Sequence, residues 1–298
     1  APSLYLGGPW FESRSPYQRP PRPTPAPPHF VKIAHTPLMN RRRALVTGAS
    51  SGIGECMALQ LAERGWDLVL VARRADELAR VAAAVSANGA DVEVIVVDLA
   101  TTSGVEQIEA RIADESRPIE MVINNAGYGR FGKITELDAA GESNEIAVNV
   151  NALMRLSRAA LIAMAPRKSG AILNVASVAS FLPFPGFTTY AATKAFVRSF
   201  TLALHEEARP HGVRVTCVAP GYTPSGFQTR GGLSPTSGQP SFMLTSAEFV
   251  ARAGLDAVEA GRALVVPGLV NAISARFLGL MPSGVQRRIG AYFSRFTR

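Results

Sequence analysis

Tyr190-Ala191-Ala192-Thr193-Lys194 sets a phenol and an ammonium four residues apart, the spacing that places two side chains on one face of a helix. A free tyrosine, with a pKa of about 10, exchanges protons poorly at neutral pH. A neighbouring lysine cation favours the phenolate, and a shift of about three units corresponds to about 4 kcal/mol of differential interaction. Such a phenol can serve as general acid towards a ketone oxygen and as general base towards an alcohol. Ser177 lies thirteen residues earlier, just past the apolar run 171–175, where its hydroxyl can donate to a developing oxyanion. Alone, Tyr-x-x-x-Lys is a common surface pair, so its meaning depends on the elements that position it.

A second group sits near residue 50. Thr47-Gly48-Ala49-Ser50-Ser51-Gly52-Ile53-Gly54 follows an apolar run and precedes a helical pattern. Glycines there let the backbone turn sharply and approach a pyrophosphate, whose charge meets the N-terminus of the next helix. The spacing is Gly-x-x-x-Gly-x-Gly, and many strand-to-helix turns need one glycine for steric reasons alone. Its place on the first strand of a βαβ unit favours a dinucleotide, with Gly48, Ser50, Ser51, Gly52, Ile53 and Gly54 as the cradle. The second apolar run ends Val71-Ala72-Arg73-Arg74. Where an NAD-binding chain usually carries an acid for the ribose hydroxyls, this one has alanine and then two guanidiniums, which pair well with a 2′-phosphate. Arg73 and Arg74 thus favour NADP(H), although a solvated helix start would use the same residues.

These groups need a frame. From residue 40 onward, apolar runs at 44–46, 67–71, 92–97, 121–123, 171–175, 213–218 and 263–266 alternate with helix-length segments at 53–64, 75–87, 104–115, 143–165 and 188–209. Strands that are apolar on both faces and separated by helices imply a parallel sheet covered on both sides. The expected fold is a single α/β domain over 39–298: a Rossmann-like, doubly wound, seven-stranded parallel sheet with right-handed crossovers.

The ordered set resembles the short-chain dehydrogenase/reductase family over nearly all of residues 40–298. Its pieces are Thr47–Gly54, Asn124-Asn125-Ala126-Gly127, Asn149, Ser177, Tyr190 with Lys194, and Pro220-Gly221. The resemblance implies that Tyr190 is the acid/base and that Lys194 binds the nicotinamide ribose and lowers the Tyr190 pKa. It also implies that Ser177 orients the substrate oxygen and that Asn149 holds a water linking Lys194 to solvent. Asn125, Ala126 and Gly127 would lie by the adenosine ribose, Asp98 and Leu99 around the adenine, and Pro220, Gly221 and Thr223 against the nicotinamide. Ser225 stands where many members carry threonine, which keeps a hydroxyl. The activity implied is hydride exchange between NADP(H) and a ketone or secondary alcohol, in a homodimer or homotetramer. A cofactor-binding sensor or scaffold with little turnover, and an NAD-dependent alcohol dehydrogenase, are the alternatives; intact Ser177, Tyr190 and Lys194 argue against the sensor.

Aromatic and aliphatic residues in 181–187 and in the Gly-, Pro- and Ser-rich stretch 222–246 point to an apolar small-molecule substrate under a closing lid, though loop anchoring uses the same residues. In the C-terminal segment 269–298, Val270, Ile273, Phe277, Met281, Val285, Ile289, Tyr292 and Phe296 recur at helical spacing, with Arg287, Arg288, Arg295 and Arg298 nearby. A basic amphipathic helix can lie on an acidic membrane surface, but packing on its own domain or on a partner subunit is the commoner fate.

The first 38 residues hold ten of the 21 prolines and read as an extended, disordered leader outside the folded unit. They also carry +3 of the formal +8 charge; the rest is dispersed without a basic stripe or stacking aromatics, which argues against nucleic acid. No run of 18 apolar residues is present. Cys56 and Cys217 make neither a disulfide framework nor a zinc spacing and suit a reducing, cytoplasmic setting as buried small hydrophobes. His29, His35, His205 and His211 form no metal-ligand pattern, and His205 and His211 are expected to be solvated.

Overall fold

The computed structural model describes residues 31–33, 41–224 and 244–293. The rest of the proline-rich leader, residues 225–243 of the expected lid with Ser225, and the last five residues lie outside the described residues.

The strands are β1 (Val31–Ile33), β2 (Arg43–Thr47), β3 (Asp67–Ala72), β4 (Val92–Val96), β5 (Met121–Asn124), β6 (Gly170–Val175), β7 (Val213–Val218) and β8 (Leu264–Val265). The helices are α1 (Gly52–Glu63), α2 (Ala75–Ala87), α3 (Thr102–Ala113), α4 (Ala139–Ile146), α5 (Leu153–Met164), α6 (Thr188–Ala208), α7 (Ala247–Glu259), α8 (Leu269–Leu280) and α9 (Ser283–Phe293). The sheet runs β1-β4-β3-β2-β5-β6-β7-β8. Seven of its strands are parallel, as the apolar runs require. The eighth, β1, pairs antiparallel with β4, Val31 opposite Val94. It corrects the expectation that the leader contributes nothing: three residues between prolines suffice to cap an open edge.

Alternation along the buried strands supplies two cores. Ala44, Val46, Leu68 and Leu70 face α1, α2 and α7. Leu45, Val69 and Val71 face α3, α5 and the C-terminal half of α6. The central strands are therefore covered on both faces and predominantly apolar, while β4 nearer the edge carries Glu93 and the exposed Val96.

The helix expected over 143–165 starts earlier, at α4, where Asp138 caps it by accepting from Gly141 N at 2.7 Å. It runs through a π-helical stretch, Ala147–Ala152, into α5. The continuous helix 139–167 is long and apolar enough by length and composition to cross a membrane, with mean hydropathy 1.3 over its best window. Here it packs one face on β5, β6 and α3, with Leu156, Ala160 and Met164 buried, and pairs Arg155 with Glu109 of α3. The C-terminal segment is two helices, because Pro282 disfavours helical backbone at the preceding residue; Met281 has ψ 146°. Cys217 is buried, but Cys56 is only half-buried, its Sγ 3.8 Å from Glu248 Oε1. His205 is half-buried rather than solvated, with Nδ1 2.6 Å from Val215 O.

Candidate active site

The chain leaves β2 for β3 and β4 on one side and continues through β5 to β8 on the other, so the sheet has its topological switch point between β2 and β5. Ligands of such sheets bind outside the carboxyl ends of the strands at that point. A cleft of about 1000 Å³ opens there. It is lined by Gly48, Ser50, Ser51, Gly52, Ile53, Arg73, Arg74, Asp98, Leu99, Asn125, Ala126, Gly127, Ser177, Tyr190, Lys194, Pro220, Gly221 and Thr223. Of the residues expected at the site, only Gly54 and Asn149 stand behind its wall.

At one end, Gly48 and Gly52 adopt left-handed backbone (φ 65° and 61°), which lets the loop double back over β2. A Cβ on Gly54 would collide with Gly48 O and Asn125 Nδ2, so this glycine sets how closely α1 approaches the loop. Thr47 Oγ1 accepts from Asn125 N and Ala126 N, each at 3.0 Å, and Asn125 Nδ2 donates to Thr47 O and Gly48 O. The two loops flanking the switch point are thereby stapled together. The N-cap residue Ser51 does not close α1 with its side chain, and the positive end of the helix lies at the cleft. Arg74 donates to Ser50 Oγ and Ser51 Oγ, both at 3.0 Å, while Arg73 sits 3.8 Å from Asp98 and is mostly exposed. Glycine cradle, helix N-terminus and guanidinium together fit a dinucleotide phosphate.

At the other end, α6 buries both Tyr190 and Lys194. The Tyr190 ring packs 4.7 Å from Phe187 by centroid. The ring also meets Gly129, where an added Cβ would fall 2.6 Å from it and 3.2 Å from Phe187. The Ser177 hydroxyl is near enough to Tyr190 to favour its ionised form. Ser177 caps the short turn 178–181 by accepting from Ala179 N at 3.1 Å, which aims its side chain back at the cleft. Lys194 donates to Val175 O at 2.8 Å, with Nζ 5.7 Å from the Tyr190 ring centre. Burial is the dominant electrostatic influence. It pushes the Tyr190 phenol above its ordinary value, which the Ser177 hydroxyl partly opposes, and it lowers Lys194 to about 8. The phenol is thus raised where the resemblance implied a lowering, because its own desolvation dominates.

Asn149 lies in the π-helical stretch, 1% exposed. Its side chain donates to Tyr128 O (2.8 Å) and Thr193 Oγ1 (3.1 Å) and accepts from Tyr128 N (3.1 Å). It clamps the loop after β5 to α6. Glu145, one turn earlier, is a residue the sequence reading missed. It is fully buried, accepts from Arg130 N at 3.0 Å, and its other oxygen has no hydrogen-bond partner among the described residues. Burial, with Glu142 nearby, raises its carboxyl to about 7 against the pull of Arg130 and Lys194. Also unforeseen are Tyr128, Phe131 and Asn271 in the cleft wall. Asn271 lies so close to Gly221 that a Cβ there would strike it.

A family model described as short chain dehydrogenase matches residues 42–232. The chain belongs to the short-chain dehydrogenase family. It is an oxidoreductase acting on alcohol or ketone groups, of a family that uses a nicotinamide cofactor. Gluconate 5-dehydrogenase of Gluconobacter oxydans is 36% identical over 180 residues, 60% of this chain and 70% of that enzyme. Very-long-chain 3-oxoacyl-CoA reductase of Bos taurus is 37% identical over 184 residues, 60% of this chain and 58% of that one. Among solved structures, a short-chain dehydrogenase from Sphingobium yanoikuyae in complex with NADPH superposes with TM-score 0.73 at 34% identity, covering 80% of this chain and 95% of that one. The bulky-bulky ketone specific alcohol dehydrogenase from Comamonas testosteroni gives 0.69 at 30% identity, covering 82% and 94%.

Proposed function

We propose that this dehydrogenase reduces an apolar ketone to a secondary alcohol with NADPH. The observation that carries the reading is one cleft with Arg73 and Arg74 at one end and Ser177, Tyr190 and Lys194 under an aromatic wall at the other. Among the described residues Arg74 has no carboxylate partner, and it reaches the phosphate loop, which supports a 2′-phosphate over a ribose diol. Phe131, Phe184, Phe187 and Leu182 line the substrate end. Phe131–Phe187 and Phe184–Phe187 contacts at 5.7 and 6.3 Å make that wall continuous. The Comamonas enzyme, similar over most of the chain, is described as acting on bulky ketones, which agrees with such a wall.

When bound, the nicotinamide supplies the hydride taken up by the carbonyl carbon. Tyr190 gives its proton to the carbonyl oxygen as charge develops there, and Ser177 donates a hydrogen bond to the same atom. At neutral pH the phenol carries its proton, as a free tyrosine does, and burial strengthens that state, so the resting side chain can act as the acid that reduction requires. Lys194, lowered to about 8, exchanges protons near neutral pH and can restore the one that Tyr190 gives up. Asn149 keeps Thr193 and the 127–128 backbone in place beside it.

The test is NADPH and NADH oxidation against a panel of apolar ketones, wild type beside Tyr190→Phe. Turnover by wild type alone, faster with NADPH, is expected, with NADPH affinity unchanged in the variant. Equal turnover by Tyr190→Phe would refute the mechanism, and preference for NADH would refute the role of the arginines.

A further inference from the structure

α8 is amphipathic the wrong way round for a helix that merely covers its own domain. Its buried residues are Asn271 and Ala275. Its outer face carries Leu269 (76% exposed), Val270 (40%), Ile273 (48%), Phe277 (63%) and Leu280 (78%). At roughly 100° per residue these five fall within about 100° of arc, with Arg276 at the border. Of the fates expected from the sequence, packing on its own domain does not hold for this stripe of α8, which leaves a partner subunit or a membrane surface. On α9, Val285, Arg288 and Tyr292 share a second exposed face, beside exposed Arg287. Contiguous apolar surface rimmed by charge marks an interaction site.

Charge selects the occupant. From residue 260 to the end the chain has six arginines, at 262, 276, 287, 288, 295 and 298, and no lysine, aspartate or glutamate. Two copies meeting through this face would bring like charges together, which disfavours a second chain as cover. An apolar stripe bordered by arginine and free of acid suits an anionic lipid surface, where headgroups meet the guanidiniums and the side chains enter the acyl boundary. Ile273 and Phe277 belong to the stripe and also line the cleft, so the stripe is the rim of its mouth.

We infer that the outer face of α8 and α9 docks the protein on anionic membranes, with the mouth of the cleft turned towards the lipid. The inference goes beyond the proposed reaction and is tested without it. Full-length protein is sedimented with vesicles of phosphatidylcholine alone, or with about a third phosphatidylglycerol. Binding to the anionic vesicles and weak binding to the neutral ones is expected. Arg287→Gln/Arg288→Gln should lower the partition coefficient about thirty-fold, and Leu269→Ser/Leu280→Ser about a hundred-fold. None of the four lines the cleft, so both variants should keep the wild-type melting temperature and NADPH affinity. Failure of wild type to pellet with anionic vesicles overturns the inference. So does wild-type binding by the leucine variant, which would mean charge attraction alone. Equilibrium sedimentation showing a self-association lost in that variant would assign the stripe to a second copy and overturn it as well.

Discussion

Glu145→Gln should flatten the pH dependence of stability while leaving the fold intact. Glu145 is fully buried and titrates at about 7 in the folded protein, against 4.5 for the free side chain. A carboxyl whose pKa is raised by folding favours the folded state least when ionised. Below about pH 4.5 both states hold the proton and nothing is lost. Between there and pH 7 the unfolded chain releases its proton first, so stability falls as pH rises, and above 7 the loss is complete. At about 1.4 kcal/mol per unit the full effect is about 3 kcal/mol, of which about 2–3 kcal/mol falls between pH 5 and 8. Glutamine keeps an oxygen for Arg130 N but has no proton to lose. Urea unfolding of both proteins at unit pH steps measures the difference directly, since all other titrating groups are common to both. The wild type should lose about 2–3 kcal/mol relative to the variant from pH 5 to 8. A constant difference would show that Glu145 is not held in a desolvating site and would refute the reasoning.

Other expectations concern the cleft. Arg74→Ala removes the guanidinium held by Ser50 and Ser51; losing a charged hydrogen bond of about 1.5–3 kcal/mol should cut the NADPH-over-NADH ratio of kcat/KM by about 10- to 100-fold, and an unchanged ratio would place the 2′-phosphate elsewhere. Gly54→Ala drives a methyl into Gly48 O and Asn125 Nδ2; it should cost about 1–3 kcal/mol in urea unfolding and weaken NADPH binding in a fluorescence titration. For ketone reduction, kcat/KM should fall above about pH 8 as Lys194 loses its proton, and Lys194→Arg should move that limb to higher pH; a flat profile through this range would remove Lys194 from the proton path.

The sheet was readable because a parallel strand buried on both faces carries few polar residues to blur it. Residues 67–72 are buried without exception, and the run 67–71 could be marked from composition alone. β1 was not readable: three residues among prolines carry no period, and their pairing depends on an edge that exists only once β4 is in place. The π-helical stretch left no trace either, since Ala-Val-Asn-Val-Asn-Ala is ordinary helical composition and the extra residue per turn is set by what surrounds it. For the C-terminal helices the period was legible and the facing was not. Periodicity gives the angle between side chains, not which side meets the domain, and Asn271 against the Gly221 turn decides that for α8.

The site shows the same division at closer range. Ser177, Tyr190 and Lys194 were legible because their chemistry is carried by residue type and order. What aims them is not. Gly127 and Gly129 leave no room for a Cβ, the first against Asn149 and Lys194, the second against the Tyr190 ring. The strand of chain between them acts as a spacer, gripped at Tyr128 by Asn149 and at Arg130 by Glu145. Glu145 is the sole buried residue of α4, on a helix whose composition reads as solvent-facing, so no pattern of periodicity could single it out. It follows that Glu145→Ala, which frees Arg130 N and opens a hole behind the spacer, should lower kcat for ketone reduction with Ser177, Tyr190 and Lys194 all present. Glu145→Gln, which keeps the grip, should stay within a few-fold of wild type. Equal loss in both variants would mean that the carboxylate charge, not the hold on the spacer, is what Tyr190 needs.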